Sequence, residues 1–203
     1  MSKSILFLCG SLRADSFNKK VMSVAAKALP KGYHAEFFDL AAIPPYNADH
    51  DGADAPASVL DLREAISSAD GVFWSTPEYN YALPGLVKNV IDWASRPMLP
   101  QNCVVGKPMN ALVTTMSATN GVRSLTELKR YWGHLGGFSV PQPDCVITQA
   151  GAKISVVDGE VIMEPAALQQ VALAIRVLVN IVETDVSAAL EANWAAVVAS
   201  LSS

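Results

Sequence analysis

Ile5-Leu6-Phe7-Leu8-Cys9-Gly10-Ser11-Leu12-Arg13-Ala14-Asp15-Ser16-Phe17-Asn18 joins a buried apolar run to a polar loop and a helix start. Five consecutive apolar residues run into Gly10-Ser11, the pattern of a strand buried on both faces, as in a parallel sheet. The polar loop that follows leads into residues 18–29, where Val21, Val24, Ala25 and Ala28 recur at spacings of three and four. That spacing predicts a helix, and Pro30-Lys31-Gly32 stops it.

Working outward, the same alternation repeats. Strands are expected at 35–40, 71–75, 109–116 and 144–148. Helices are expected at 57–68, from Pro84 onward, at 122–135 before Gly136-Gly137, and at 165–182. Asp158-Gly159, between Ile154-Ser155-Val156-Val157 and Glu160-Val161-Ile162-Met163, predicts a type I′ hairpin. Residues 41–56 carry three prolines, a glycine and several acids, and read as loop. Residues 186–200 read as a last amphipathic helix. Five strands alternating with helices predict an α/β fold: a parallel sheet with helices on both faces. No composition shift marks a boundary, so residues 1–203 are expected to form a single domain.

Composition narrows the functional classes. The chain has 203 residues and 21.6 kDa, 51% hydrophobic and 17% charged. Disordered chains are poorer in apolar residues and richer in charge. A net charge of −4 and a pI near 5.3 argue against a nucleic-acid binder, which needs a basic stripe. Cys9, Cys103 and Cys145 are an odd count without C-x-x-C spacing, fitting a reducing compartment. The N-terminal apolar run is too short for a signal peptide, and 166–182 is interrupted by Gln169, Gln170, Arg176 and Asn180. A cytoplasmic protein without a membrane partner is expected.

In an open parallel sheet, ligands bind beyond the carboxyl ends of the strands. Three strand ends carry unusual residues. Ser11, Arg13, Ser16 and Asn18, with backbone N–H groups at a helix start, suit a phosphate; a plain capped turn would also use Ser, Asp and Asn. Neither Gly-x-Gly-x-x-Gly nor Gly-x-x-x-x-Gly-Lys is present. Thr76-Pro77-Glu78-Tyr79-Asn80-Tyr81-Ala82-Leu83-Pro84-Gly85 sets tyrosines and an asparagine between prolines, a wall for a flat heteroaromatic ligand or a packed surface loop. Thr114-Thr115-Met116-Ser117-Ala118-Thr119-Asn120-Gly121 is rich in small hydroxylated residues.

Together the first two loops resemble the NADPH-dependent FMN reductase family. Gly10-Ser11-Leu12-Arg13-x-x-Ser16-Phe17-Asn18 is similar to its FMN phosphate loop. Thr76-Pro77-Glu78-Tyr79-Asn80-Tyr81-x-x-Pro84-Gly85-x-x-Lys88-Asn89-x-Ile91-Asp92-Trp93 is similar to its second signature. Bacterial chromate/quinone reductases and azoreductases are similar members, and the likeness covers roughly residues 3–182, leaving the last helix outside. The resemblance implies a flavodoxin-like three-layer fold, strand order 2-1-3-4-5, bound FMN, and a homodimer or homotetramer. It implies that Ser11, Arg13, Ser16, Phe17 (by its backbone) and Asn18 hold the phosphate. Pro77, Glu78, Tyr79 and Asn80 would frame the ring, and Ser117 would touch it. The family's third loop is richer in glycine: Ser117 and Asn120 stand where it has glycines, and Asn tolerates the left-handed region better than most residues.

The implied activity is hydride transfer from NADPH or NADH to FMN N5, then to a quinone, azo compound, free flavin or oxidised metal anion. Chemistry resides on the cofactor, with no protein nucleophile and no metal required. His34, His50 and His134 fall in a turn before a strand, an acidic loop and a helix end, without the logic of a triad or a metal site. Glu78 reads as a loop cap more than a flavin ligand. Arg96 reads either as solvated or as meeting a partner's acid across a dimer seam. Cys9 and Cys145 fall in strands as core thiols, and Cys103 in a loop as the one to test for reactivity. The alternatives are a flavodoxin-like carrier, whose usual Ser/Thr-x-Thr-Gly-x-Thr loop is absent, and a non-catalytic module.

Overall fold

The structure, a computed structural model, describes residues 2–119 and 121–201. Strand β1 (Lys3–Cys9) pairs in parallel with β2 (Tyr33–Phe38) on one side and β3 (Gly71–Thr76) on the other; β4 (Pro108–Thr114) follows β3. Two short strands, β5 (Phe138–Ser139) and β6 (Cys145–Ile147), both pair with the outer edge of β4. The order is therefore 2-1-3-4-5, as expected, with the fifth strand broken in two. Pro141 and Pro143 stand in the break, where a residue without an N–H cannot donate to the ladder.

Alternation along each strand builds two cores. Leu6, Leu8, Val72, Trp74, Met109, Ala111 and Val113 point to one face. There they pack on α2 (Ala57–Ser68), α3 (Gly85–Ala94) and α4 (Val122–His134), through Leu62, Ile66, Val90, Trp93, Leu128 and Trp132. Ile5, Phe7, Phe73 and Leu112 point to the other face, against α1 (Phe17–Lys27) and α6 (Pro165–Val182). Each such Leu, Ile, Val, Phe or Met side chain contributes about 1.5–3 kcal/mol when fully buried. Asn110 is one of the buried polar strand residues: its Nδ2 donates to Ala174 O at 2.8 Å, tying β4 to α6. By length and apolar composition α6 could cross a membrane; its inner face is packed in this core.

Helix α5 (Ala150–Lys153) leads into the hairpin β7 (Ile154–Val157) and β8 (Glu160–Met163). Asp158 (φ 49°) and Gly159 (φ 80°) give the turn the two positive φ values expected of type I′. Residues 41–56 contain three single 3-10 turns and are pinned by Arg63, which bonds Asp51 at 2.8 Å and Trp93 O at 3.1 Å. Helix α7 (Val186–Leu201) is present but is not amphipathic in its packing: none of its residues is buried. Trp194 Nε1 holds it by donating to Pro100 O at 2.8 Å.

Candidate functional site

Gly10 ends β1 where three elements crowd. A Cβ there would lie 2.7 Å from Val87 Cγ2 and would clash with Thr76 Oγ1, so only glycine lets the loop leave the sheet on this path. The loop then turns into α1, whose N-cap is Ser16; its Oγ accepts from Asn18 N at 3.2 Å. Ser11, Ser16 and Asn18 are buried, while Arg13 is exposed and has no carboxylate within ion-pair distance among the described residues. Asp15 pairs with Lys20 instead, and the hydrogen bond from that ammonium holds its carboxyl below the usual range.

Asn18 is largely committed within the protein. Its Nδ2 donates to Thr114 O at 3.2 Å, and its Oδ1 accepts from Ser75 Oγ at 3.1 Å and Thr114 N at 3.3 Å. It clasps the carboxyl ends of β3 and β4 to the first turn of α1, which leaves one side-chain N–H for a ligand.

The second loop is a tight turn. Tyr79 N donates to Ala82 O at 3.2 Å and Ala82 N to Tyr79 O at 3.0 Å, around Asn80 (φ 51°) and Tyr81 (φ 63°). Positive φ costs an asparagine little but strains a tyrosine, by about 1–3 kcal/mol. Arg123 lies over the Tyr81 ring, 4.8 Å from its centroid, and holds it there. Glu78 has a fully buried side chain. Its Oε2 accepts from Gly121 N at 3.0 Å, Arg123 N at 3.0 Å and Ser124 N at 3.1 Å. The carboxylate thus closes the N-terminus of α4, where the helix dipole favours negative charge. This is the capping role read from the sequence, extended to a helix more than forty residues away.

These loops enclose a cleft of about 180 Å³. It gathers eight of the ten expected residues: Ser11, Arg13, Ser16, Phe17, Asn18, Pro77, Glu78 and Tyr79. Asn80 and Ser117 do not line it. Asn80 sits at the outer tip of the turn. Ser117 is folded back into its own loop, with Oγ accepting from Thr119 N at 3.2 Å and its carbonyl from Gln149 N at 3.0 Å. Thr114, Thr115 and Met116 line the cleft in its place. The signal was available, because they are where β4 ends. The reading of Asn120 lies outside the described residues.

The cleft suits a nucleotide-like flavin in two ways. The first-turn N–H groups of α1 and the Ser11 and Ser16 hydroxyls form an anion cradle beside Arg13. Among the described residues three buried side-chain polar atoms lack a hydrogen-bond partner, and two of them belong to residues on this wall: Thr114 Oγ1, and Glu78 Oε1, which has the Arg123 guanidinium 3.7 Å away. Such atoms cost stability until satisfied, and cluster at sites that a ligand completes.

The profile of the NADPH-dependent FMN reductase family matches residues 4–152. The chain belongs to the NADPH-dependent FMN reductase family. A 2-hydroxy-1,4-benzoquinone reductase of Burkholderia sp is 33% identical over 164 residues, covering 81% of this chain and 88% of that protein. A quinone reductase of Escherichia coli K12 is 36% identical over 160 residues, covering 78% and 84%. Among solved structures, FerB, a flavoenzyme NAD(P)H:(acceptor) oxidoreductase from Paracoccus denitrificans, superposes with a TM-score of 0.78 at 33% identity, covering 89% of this chain and 97% of that one. This family member is an oxidoreductase that uses FMN and NAD(P)H. The flavodoxin-like fold implied by the resemblance of the two loops is borne out.

Several single-residue readings change. Cys103 is a half-buried thiol whose Sγ donates to Ala94 O at 3.2 Å, and burial pushes its pKa up to about 12, against the reading of it as the thiol to test for reactivity. Burial likewise raises Cys9, and raises Cys145 to about 12. With every thiol held neutral, a chromogenic disulfide at pH 8 should find no fast-reacting cysteine in the native protein and all three after denaturation. One thiol titrating in the native state within seconds would contradict this. Arg96 meets Asp51 of its own chain at 3.9 Å, and His34 lies within β2 beside Glu36 at 3.1 Å.

Proposed function

We propose that this protein reduces a quinone, taking hydride equivalents from NADH or NADPH through FMN held in the cleft of loops 10–18 and 77–79. The observation that carries the reading is the convergence of an anion cradle and an aromatic loop on one cleft at the sheet's carboxyl edge. When bound, FMN supplies a ring that accepts a hydride and returns two electrons to an acceptor. The chain's part is placement. Ser11, Ser16, the α1 N-terminus and Arg13 hold the phosphate, Asn18 fixes the cradle to β3 and β4, and residues 77–79 wall the ring.

Tyr79 (49% exposed) and Met116 (62% exposed) stand at the mouth and offer apolar surface to a flat acceptor. Glu78 Oε2 is committed to the start of α4, and Oε1 faces Arg123 Nη1 at 3.7 Å. The names of the quinone-reducing relatives favour the same acceptor class. We place the protein in the cytoplasm, in keeping with an odd count of three cysteines without C-x-x-C spacing.

Anaerobic NADH or NADPH should bleach the flavin bands, and a quinone should restore them faster than an azo dye or chromate at equal concentration. Bands that persist with both dinucleotides would reduce the protein to a carrier or a binding module.

A further inference from the structure

A second cavity lies on the other flank of the phosphate-loop segment. It encloses about 340 Å³ at the carboxyl ends of β1 and β2, and its wall includes Ser11, Leu12, Lys19, Met22, Phe37 and Asp39. Ser11 belongs to both cavities, so the two are neighbours across one loop. We propose that this cavity binds the ADP-ribose half of the reductant and, through Asp39, favours an unphosphorylated ribose, that is NADH. This inference rests on the hydride-transfer reading above and names where the donor is gripped.

The lining has the mixed chemistry an adenosine needs. Phe37 is 56% exposed although aromatic, with its ring steadied against Phe7 at 5.4 Å between centroids; Leu12 is 51% exposed across the opening. A flat base gains by covering such surface. Asp39 follows directly on the last residue of β2, at the carboxyl edge of the sheet where ligands of open parallel sheets bind. Its Oδ1 accepts from Ala41 N at 3.0 Å, and its other oxygen has no hydrogen-bond partner among the described residues. Lys19 leans over the loop, its Nζ 3.5 Å from Leu12 O, and supplies a cation for a diphosphate. A 2′-phosphate would meet the Asp39 carboxylate and be repelled.

Reach is consistent with the sheet order. β2 lies two strands from β3 and three from β4, whose ends wall the ring cleft. At about 4.8 Å per strand this is roughly 10–14 Å, within the span of an extended dinucleotide.

The test uses FMN-loaded protein and two probes, ADP-ribose and its 2′-phosphorylated form, titrated by calorimetry. Phe37→Ala and Lys19→Ala should each weaken ADP-ribose about tenfold, leaving FMN affinity unchanged. Asp39→Asn keeps the acceptor that caps the following turn but removes the charge. It should shift the affinity ratio about tenfold toward the 2′-phosphorylated probe, and the KM ratio of NADPH to NADH in the same direction. ADP-ribose binding indifferent to all three changes would overturn the proposal. That failure is distinguishable from failure of hydride transfer, since wild-type flavin would still bleach with NADH.

Discussion

Replacing Glu78 with alanine is expected to lower stability by about 3 kcal/mol and Tm by roughly 6–12 °C. The reason is the number of groups one side chain satisfies. Three N–H groups at the start of α4 point at a single buried oxygen, and alanine leaves all three without an acceptor. The same change unties the ring-facing turn from the third loop, since Glu78 joins residues 77–81 to Gly121 and Ser124. Glu78→Gln keeps an acceptor but loses the charge favoured by the helix dipole, and should fall between wild type and alanine. Thermal denaturation of the three proteins decides it. A Glu78→Ala protein melting within about 2 °C of wild type would remove the clasp from the account.

The second large effect concerns Arg13. It is exposed, lines the cleft, and has no internal carboxylate partner among the described residues, so its charge is available to a ligand. Arg13→Ala should weaken FMN by about 1.5–3 kcal/mol, roughly 10–150-fold in Kd. The loss should be specific to the phosphate. Riboflavin, which lacks it, should bind wild type and variant nearly alike, narrowing the preference for FMN. Lys31→Ala, which removes an exposed cation beyond the end of α1, should leave both affinities unchanged. Equal loss for FMN and riboflavin would assign Arg13 a general structural role.

The sequence was informative where local chemistry determines structure. The β7–β8 turn followed from Asp158-Gly159, and α6 began at Pro165 as read, because these residues restrict their own backbone. The buried run at 5–9 identified β1 because a strand covered on both faces has no alternation to lose. Strand β2 begins and ends two residues before the predicted 35–40, because burial at Tyr33–Phe38 is only partial and the pattern there is weak. The fifth strand was read at 144–148 alone, since its first piece is two residues long and separated by prolines.

Partners distant in sequence were the limit in the site. Nothing local to Glu78 names Gly121 or Ser124, and nothing local to Arg96 names Asp51. Cys103 looked like a loop thiol because its segment has no periodic pattern, yet the fold lays it against the end of α3. The phosphate loop was legible through its hydroxyls and its position after β1. That Asn18 spends most of its amide on Thr114 and Ser75 became visible only with β3 and β4 in place.

We assign FMN to the cleft of loops 10–18 and 77–79. The molecule also has a larger groove of about 530 Å³ between α1 and α6, lined by Ala28, Pro30, Ala172, Val179 and Arg176, with one cation and no helix N-terminus. A crystal structure of the FMN complex separates the two. The phosphate is expected against Ser11, Ser16 and the first turn of α1, and the ring along residues 77–79 beside Thr114. FMN found in the α1–α6 groove, or a phosphate held away from Ser11 and Ser16, would contradict this assignment.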